Sequence, residues 1–234
     1  MSDRVAKKSK CDPNEVVNLE LEGYKPEKCD EFFLRRMIEP FYSKFFDLEK
    51  LLVCIMDSPS TTVVKNSQDD EEGNADLNDD PEVIFSLTTA ITVSGLDLNE
   101  NVKHMKNSLL QIIKKADETK VDQIFHPKIN AIFVIYDRYP NLPPVLNKMS
   151  CLSLIENFRH LDKTKTLFLQ FITCEIDGEN NKKCLYEEMD RLMEVSEFSI
   201  PLGTDKINEE QECHNYLVGT MYTKFEEWMK QIDS

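Results

Sequence analysis

Cys213 and His214 are the nearest this sequence comes to a nucleophile beside a base. Adjacent residues point to opposite faces of a strand and about 100° apart on a helix, so proton transfer between this thiol and imidazole has poor geometry. The histidines, at 104, 126, 160 and 214, and the cysteines, at 11, 29, 54, 151, 174, 184 and 213, form no His-Glu-x-x-His or Cys-x-x-Cys pair of the kind zinc requires. Gly-x-Ser-x-Gly is absent too. Phosphate cradles need closely spaced glycines so that backbone N–H groups can approach the anion. The six glycines, at 23, 73, 95, 178, 203 and 219, never stand closer than the 16 residues between the last two. The same spacing weighs against an acyl-CoA diphosphate site. No catalytic residue, metal ligand or cofactor is expected.

What the chain does concentrate is carboxylate. Residues 68–82 hold Asp69, Asp70, Glu71, Glu72, Asp76, Asp79, Asp80 and Glu82, with almost nothing apolar between them. Such a run can dock a lysine- and arginine-rich partner through salt-sensitive charge pairs. It can equally be a solvated loop that keeps the protein soluble, and composition alone favours that second reading. The Asp-x-Asp-x-Asp-Gly framework of a calcium loop is missing.

The formal net charge of -15 extends this acidity to the whole chain. A negative field repels nucleic-acid phosphates and anionic lipid heads and attracts basic proteins, so direct nucleic-acid or membrane binding is not expected. No apolar run reaches the roughly 20 residues of a membrane helix, and MSDRVAKKSKCDPNE lacks the apolar core of a signal peptide. Seven cysteines without a Cys-x-x-Cys pair suit reduced thiols in the cytosol or nucleus. Arg4, Lys7, Lys8 and Lys10 form a short basic string that reads either as an import signal or as solvated charge on a tail.

The elements that must position any site read as strands alternating with helices. Residues 1–14 are a flexible tail ending near Pro13, and residues 15–234 form a single domain. Val17, Leu19 and Leu21 alternate with polar residues in a strand over 15–22 that Gly23 ends. A helix over 27–38 stops before Pro40, a second spans 47–56, and a short strand covers 61–65. The run 83–93 is a buried strand, Asn99 caps a helix reaching about Ala116, and a short helix spans 119–125. AIFVIY, residues 131–136, is a central strand. Pro143 and Pro144 open a helix held by Leu146, Met149, Leu152, Ile155 and Phe158. A strand over 166–174 leads into a turn at DGENNKK, then a helix, a strand near 195–200 and a strand at 216–220. Tyr222, Phe225, Trp228 and Ile232 line a closing helix. The fold class is α/β or α+β, a sheet layered with helices.

The segment NAIFVIYDRYPNLPPVL, residues 130–146, resembles the BCCIP family (the BCP group), where an apolar strand precedes an arginine-aromatic pair, an asparagine-hydrophobic-Pro-Pro turn and a helix. Arg138, Tyr139, Asn141, Leu142, Pro143 and Pro144 are the matching positions. EVVNLELEGY at 15–24, the acidic loop leading into VIFSLTTAI, TLFLQFITCEI at 166–176 and LYEEMDRLMEVSEFSIPL at 185–202 follow in the family's order, so the likeness spans about residues 15–232. The tail is shorter and less acidic than in many members, and the region after Gly178 matches loosely.

The resemblance implies a GNAT-like mixed central sheet flanked by helices, without acetyl-CoA machinery. It implies a non-enzymatic interaction protein of nucleus and cytoplasm that chaperones a basic large-subunit ribosomal protein and promotes nuclear export of a lipid kinase. In animals it implies links to a recombination mediator and a cyclin-dependent kinase inhibitor. On this reading the carboxylates of 68–82, with Tyr139, Asn141 and Leu142 ahead of the prolines, are candidate partner contacts. The plainer reading, that those three residues shape a strand-to-helix turn, is favoured. The alternatives are an adaptor in recombination and cell-cycle control and, less favoured, an acyltransferase, which requires a CoA-sized groove between splayed central strands.

Overall fold

The computed structural model describes residues 21–66, 83–139, 141–176, 182–206 and 212–232. The N-terminal tail, most of the first expected strand, the whole carboxylate run and residues 177–181 of the expected turn lie outside the described residues.

Eight strands form one sheet: β1 (Leu21–Tyr24), β2 (Thr62–Asn66), β3 (Ser86–Thr92), β4 (Asn130–Arg138), β5 (Thr166–Ile176), β6 (Lys182–Cys184), β7 (Phe198–Lys206) and β8 (Glu212–Met221). Their order is β1-β2-β3-β4-β5-β8-β7, with β6 paired to β5. Every pairing is antiparallel except β4 with β5. A parallel pair needs a crossover, and α5 (Val145–Phe158) supplies it.

The alternation of side chains divides the core in two. Ala131, Phe133 and Ile135 of β4, with Leu167, Leu169 and Phe171 of β5, face α1 (Glu31–Tyr42), α2 (Leu48–Asp57), α3 (Glu100–Asp117) and α4 (Lys120–Phe125). Ile132, Val134, Tyr136, Phe168 and Ile172 face α5, α6 (Glu187–Val195) and α7 (Tyr222–Gln231). A mixed sheet flanked by helices on both faces is the architecture expected above. Helix starts follow local chemistry: Asp47 accepts from Lys50 N–H at α2, and Asn99 from Val102 N–H at α3.

Four expectations need correction. Gly23 does not end β1 but pairs with Val64 inside it; a Cβ there would lie 3.0 Å from Thr62 Cγ2. Pro40 does not stop the first helix, because α1 buries Leu34, Ile38 and Tyr42 across it, and that packing outweighs one missing hydrogen bond. The face of α5 turned inward carries Asn147, Ser150, Cys151 and Leu154 together with Ile155 and Phe158, while Leu146 and Leu152 are half-exposed. Polar residues on the buried face displaced the apolar stripe that periodicity suggested. Lys182 and Lys183, placed in a turn, instead form β6, whose register sets Cys174 opposite Cys184.

Candidate functional site

The charged pair Asp137–Arg138 closes the apolar run of β4, and a buried strand cannot carry such residues without partners. The β4–β5 register runs from Asn130–Thr166 to Val134–Gln170 and stops there, although β4 continues to Arg138 and β5 to Ile176. Beyond Val134 the two strands fork. Into the fork comes the segment after β6: Leu185 N–H donates to the Thr173 carbonyl at 2.9 Å, which sets Tyr186 beside the end of β4.

Arg138 belongs to one side of this fork. Its guanidinium meets Glu188 of α6 through Nε at 3.3 Å and Nη2 at 3.1 Å, with both side chains almost wholly buried. Tyr136 donates its hydroxyl to the same carboxylate at 2.6 Å, and Trp228 donates its indole N–H to the Glu188 carbonyl at 2.7 Å. The remaining guanidinium donors hold the turn ahead, reaching the carbonyls of Tyr139 and Leu142. Burial pushes the Tyr136 hydroxyl far above its ordinary range, with the Cys151 and Glu188 charges adding to it.

Asp137 belongs to the other side. Its Oδ1 accepts from the Tyr186 hydroxyl and from the Arg138 N–H at 2.9 Å, whereas Oδ2 has no partner among the described residues. Burial raises the Asp137 carboxyl from 3.8 to about 6, against the pull of those two hydrogen bonds and of Arg138. Tyr42 of α1 is buried close by, its hydroxyl held well above the ordinary range by burial and then by the Asp137 charge.

Between these groups lies a cavity of about 430 Å³. Met37, Pro40, Phe41 and Tyr42 of α1 wall one side and Phe171, Ile172, Leu185, Tyr186 and Met189 another, while Arg36, Tyr136, Arg138 and Thr173 complete the lining. Asp137 supplies its one carboxylate, and Tyr139 and Leu185, 50% and 46% exposed, stand at its rim. Volume and lining both fall within the range of ligand pockets.

The fork is the groove an acyltransferase would need, and its edges decide what it can hold. The helix that follows β4 starts at Pro143–Pro144, residues without an N–H, and Leu142 N–H is already given to Tyr139 at 3.0 Å. Pro143 and Pro144 bring no N–H to a diphosphate here, and those of Leu146 and Asn147 are given to the carbonyls of Pro143 and Pro144.

Of the partner contacts read from the sequence, Tyr139 borders the cavity, while Asn141 and Leu142 lie in the turn and do not line it. Asp69, Asp70, Glu71, Glu72, Asp76, Asp79, Asp80 and Glu82 lie outside the described residues. Cys213 is buried in β8, and burial pushes its thiol up. Among the described residues no cluster of three His, Cys, Asp or Glu could hold a metal, and no helix is long and apolar enough to cross a membrane. Asp137, Tyr186 and Glu188 were missed by sequence reasoning. The signal was present as two adjacent charges ending an otherwise apolar strand.

A family model described as BCCIP matches residues 16–186. Among solved structures, the crystal structure of BCP1 from Saccharomyces cerevisiae is similar with a TM-score of 0.62 at 14% identity, covering 97% of this chain and 93% of that one. An N-acyl amino acid synthase, FeeM, from uncultured soil microbes is similar with a TM-score of 0.45 at 10% identity, covering 90% of this chain and 96% of that one. No curated protein matches.

Proposed function

The chain belongs to the BCCIP family, and on that premise we propose that it works by binding proteins, as a chaperone or escort for basic clients such as a large-subunit ribosomal protein, in nucleus and cytoplasm and in nuclear export. The observation that carries this reading is the imbalance of charge: 43 acidic residues against 28 basic ones. A ribosomal protein awaiting assembly presents a basic surface built for RNA phosphates, and an acidic chaperone shields it by offering carboxylates in their place. The prolines at the start of α5 support binding rather than acyl transfer, since they remove donors that an acyl-CoA would use.

The carboxylates of residues 68–82 are the proposed docking loop, with Tyr139, Asn141 and Leu142 contributing near the fork. Deleting 68–82 tests this part. Affinity for a purified basic ribosomal protein should drop, and the steepness of its salt dependence should fall with it. Unchanged affinity and salt dependence would make the loop a solubiliser only.

A further inference from the structure

One carboxylate oxygen in the fork cavity is not bonded to any described residue, and Asp137 is only partly buried. Asp137 Oδ1 is engaged by Tyr186 and the Arg138 N–H, but Oδ2 has no partner among the described residues. The nearest cation in sequence, Arg138, is committed to Glu188 and to the carbonyls of the following turn. Arg36, at the rim, is exposed and stands over the Phe32 ring, its carbon 5.7 Å from the ring centre. Arg36 and Arg138 both line the cavity and the Arg138 charge acts on Asp137, but neither guanidinium is bonded to Oδ2, which stays open to a cation brought in from outside. The walls suit a cation on an aliphatic stem: Tyr42, Phe41 and Phe171 offer ring surface, and Met37 and Met189 offer adaptable thioethers.

We propose that this cavity is an anchor site for one lysine or arginine side chain, presented by an extended segment of a basic partner protein and received by Asp137 Oδ2. The occupant is a protein segment rather than a small free amine because the mouth exposes Tyr139 and Leu185, apolar side chains that a small amine leaves uncovered and a polypeptide covers. The chain's negative charge brings such partners to the mouth, and the cavity gives the encounter a fixed register. This inference rests on the protein-binding reading above, yet it concerns a different part of the molecule from the run at 68–82.

The test separates the two. The cavity is probed without any client by titrating n-butylguanidinium, with n-butylurea as the neutral control, into protein carrying 13C-labelled methionine methyls. Met37 and Met189 line the cavity, so their methyl signals should shift saturably with the cation, remain in place with the urea, and stop responding in Asp137→Asn. Shifts that survive Asp137→Asn, equal shifts with the urea, or no shift at all would overturn the proposal. A purified basic ribosomal protein is then titrated into wild type and Asp137→Asn. Loss of one partner of a desolvated charge pair should weaken binding by about 30-fold or more, and equal affinity for both would overturn the anchor while leaving the protein-binding reading intact. No binding to either would defeat that broader reading, and the methionine signals would still decide the cavity.

Discussion

Arg138 and Glu188 meet inside the protein with Nη2 and Oε2 3.1 Å apart and side chains only 5% and 6% exposed. The pair ties the end of the central strand β4 to helix α6, and Tyr136 and the Trp228 indole join it from either side.

Removing one charge of such a pair strands the other. Glu188→Gln should destabilise the protein by about 3–5 kcal/mol, and replacing both residues by methionine should cost distinctly less. Urea unfolding followed through Trp228, the one tryptophan, measures both. Equal losses for the single and double variants would show that packing rather than charge pairing dominates.

Asp137 predicts the opposite sign. Its carboxyl is raised in the folded state from 3.8 to about 6, chiefly by burial, so between those values the folded protein holds more protons than the unfolded chain. Stability therefore falls as pH rises through that window, and the loss is complete above about 6. Asp137→Asn abolishes this dependence. It should be more stable than wild type at pH 7 by up to about 3 kcal/mol, a gain that disappears below about pH 4. Tyr42, Tyr186 and Arg138 are the titratable groups acting on it or facing it. A destabilised Asp137→Asn at pH 7 would mean that the carboxylate is satisfied after all.

Cys174 and Cys184 stand in register across β5 and β6 with sulfurs 3.0 Å apart, and the hydrogen bond from Cys184 lowers Cys174 while raising Cys184. Exchange with an aromatic disulfide reagent should join them: the Cys174 thiolate takes one half of the reagent and Cys184 displaces it, so the protein loses two protons and two electrons and two aromatic thiols depart. Both sulfurs are buried, so the reaction should be slow and limited by opening of β6. Peptide mapping after digestion should find the two cysteines linked, and unlinked peptides after complete oxidation of the folded protein would contradict the register.

Much of the fold was legible because local chemistry and burial agree along it. Asn99 announces α3, and the unbroken apolar run AIFVIY announces a strand buried on both faces. Pro40 misled because tertiary packing through Leu34, Ile38 and Tyr42 carries the helix past it. β6 was hidden because two of its three residues are exposed lysines, and only the partner strand specifies it. The fork was illegible for a related reason. Asp137 meets Tyr186 across 49 positions, and Arg138 meets Glu188 across 50, so no window of sequence contains the site. The carboxylate run at 68–82 was the loudest feature of the sequence, whereas the structure adds a single carboxylate whose setting, not its number, makes it a candidate.

The proposed function has this protein receive basic proteins rather than an acyl cofactor. A calorimetric comparison is the most direct test, with a purified basic large-subunit ribosomal protein in one titration and acetyl-CoA at millimolar concentration in another. Saturable binding of the ribosomal protein that weakens as salt rises, with no heat from acetyl-CoA, is the expected result. Saturable heat from acetyl-CoA with none from the ribosomal protein would contradict it.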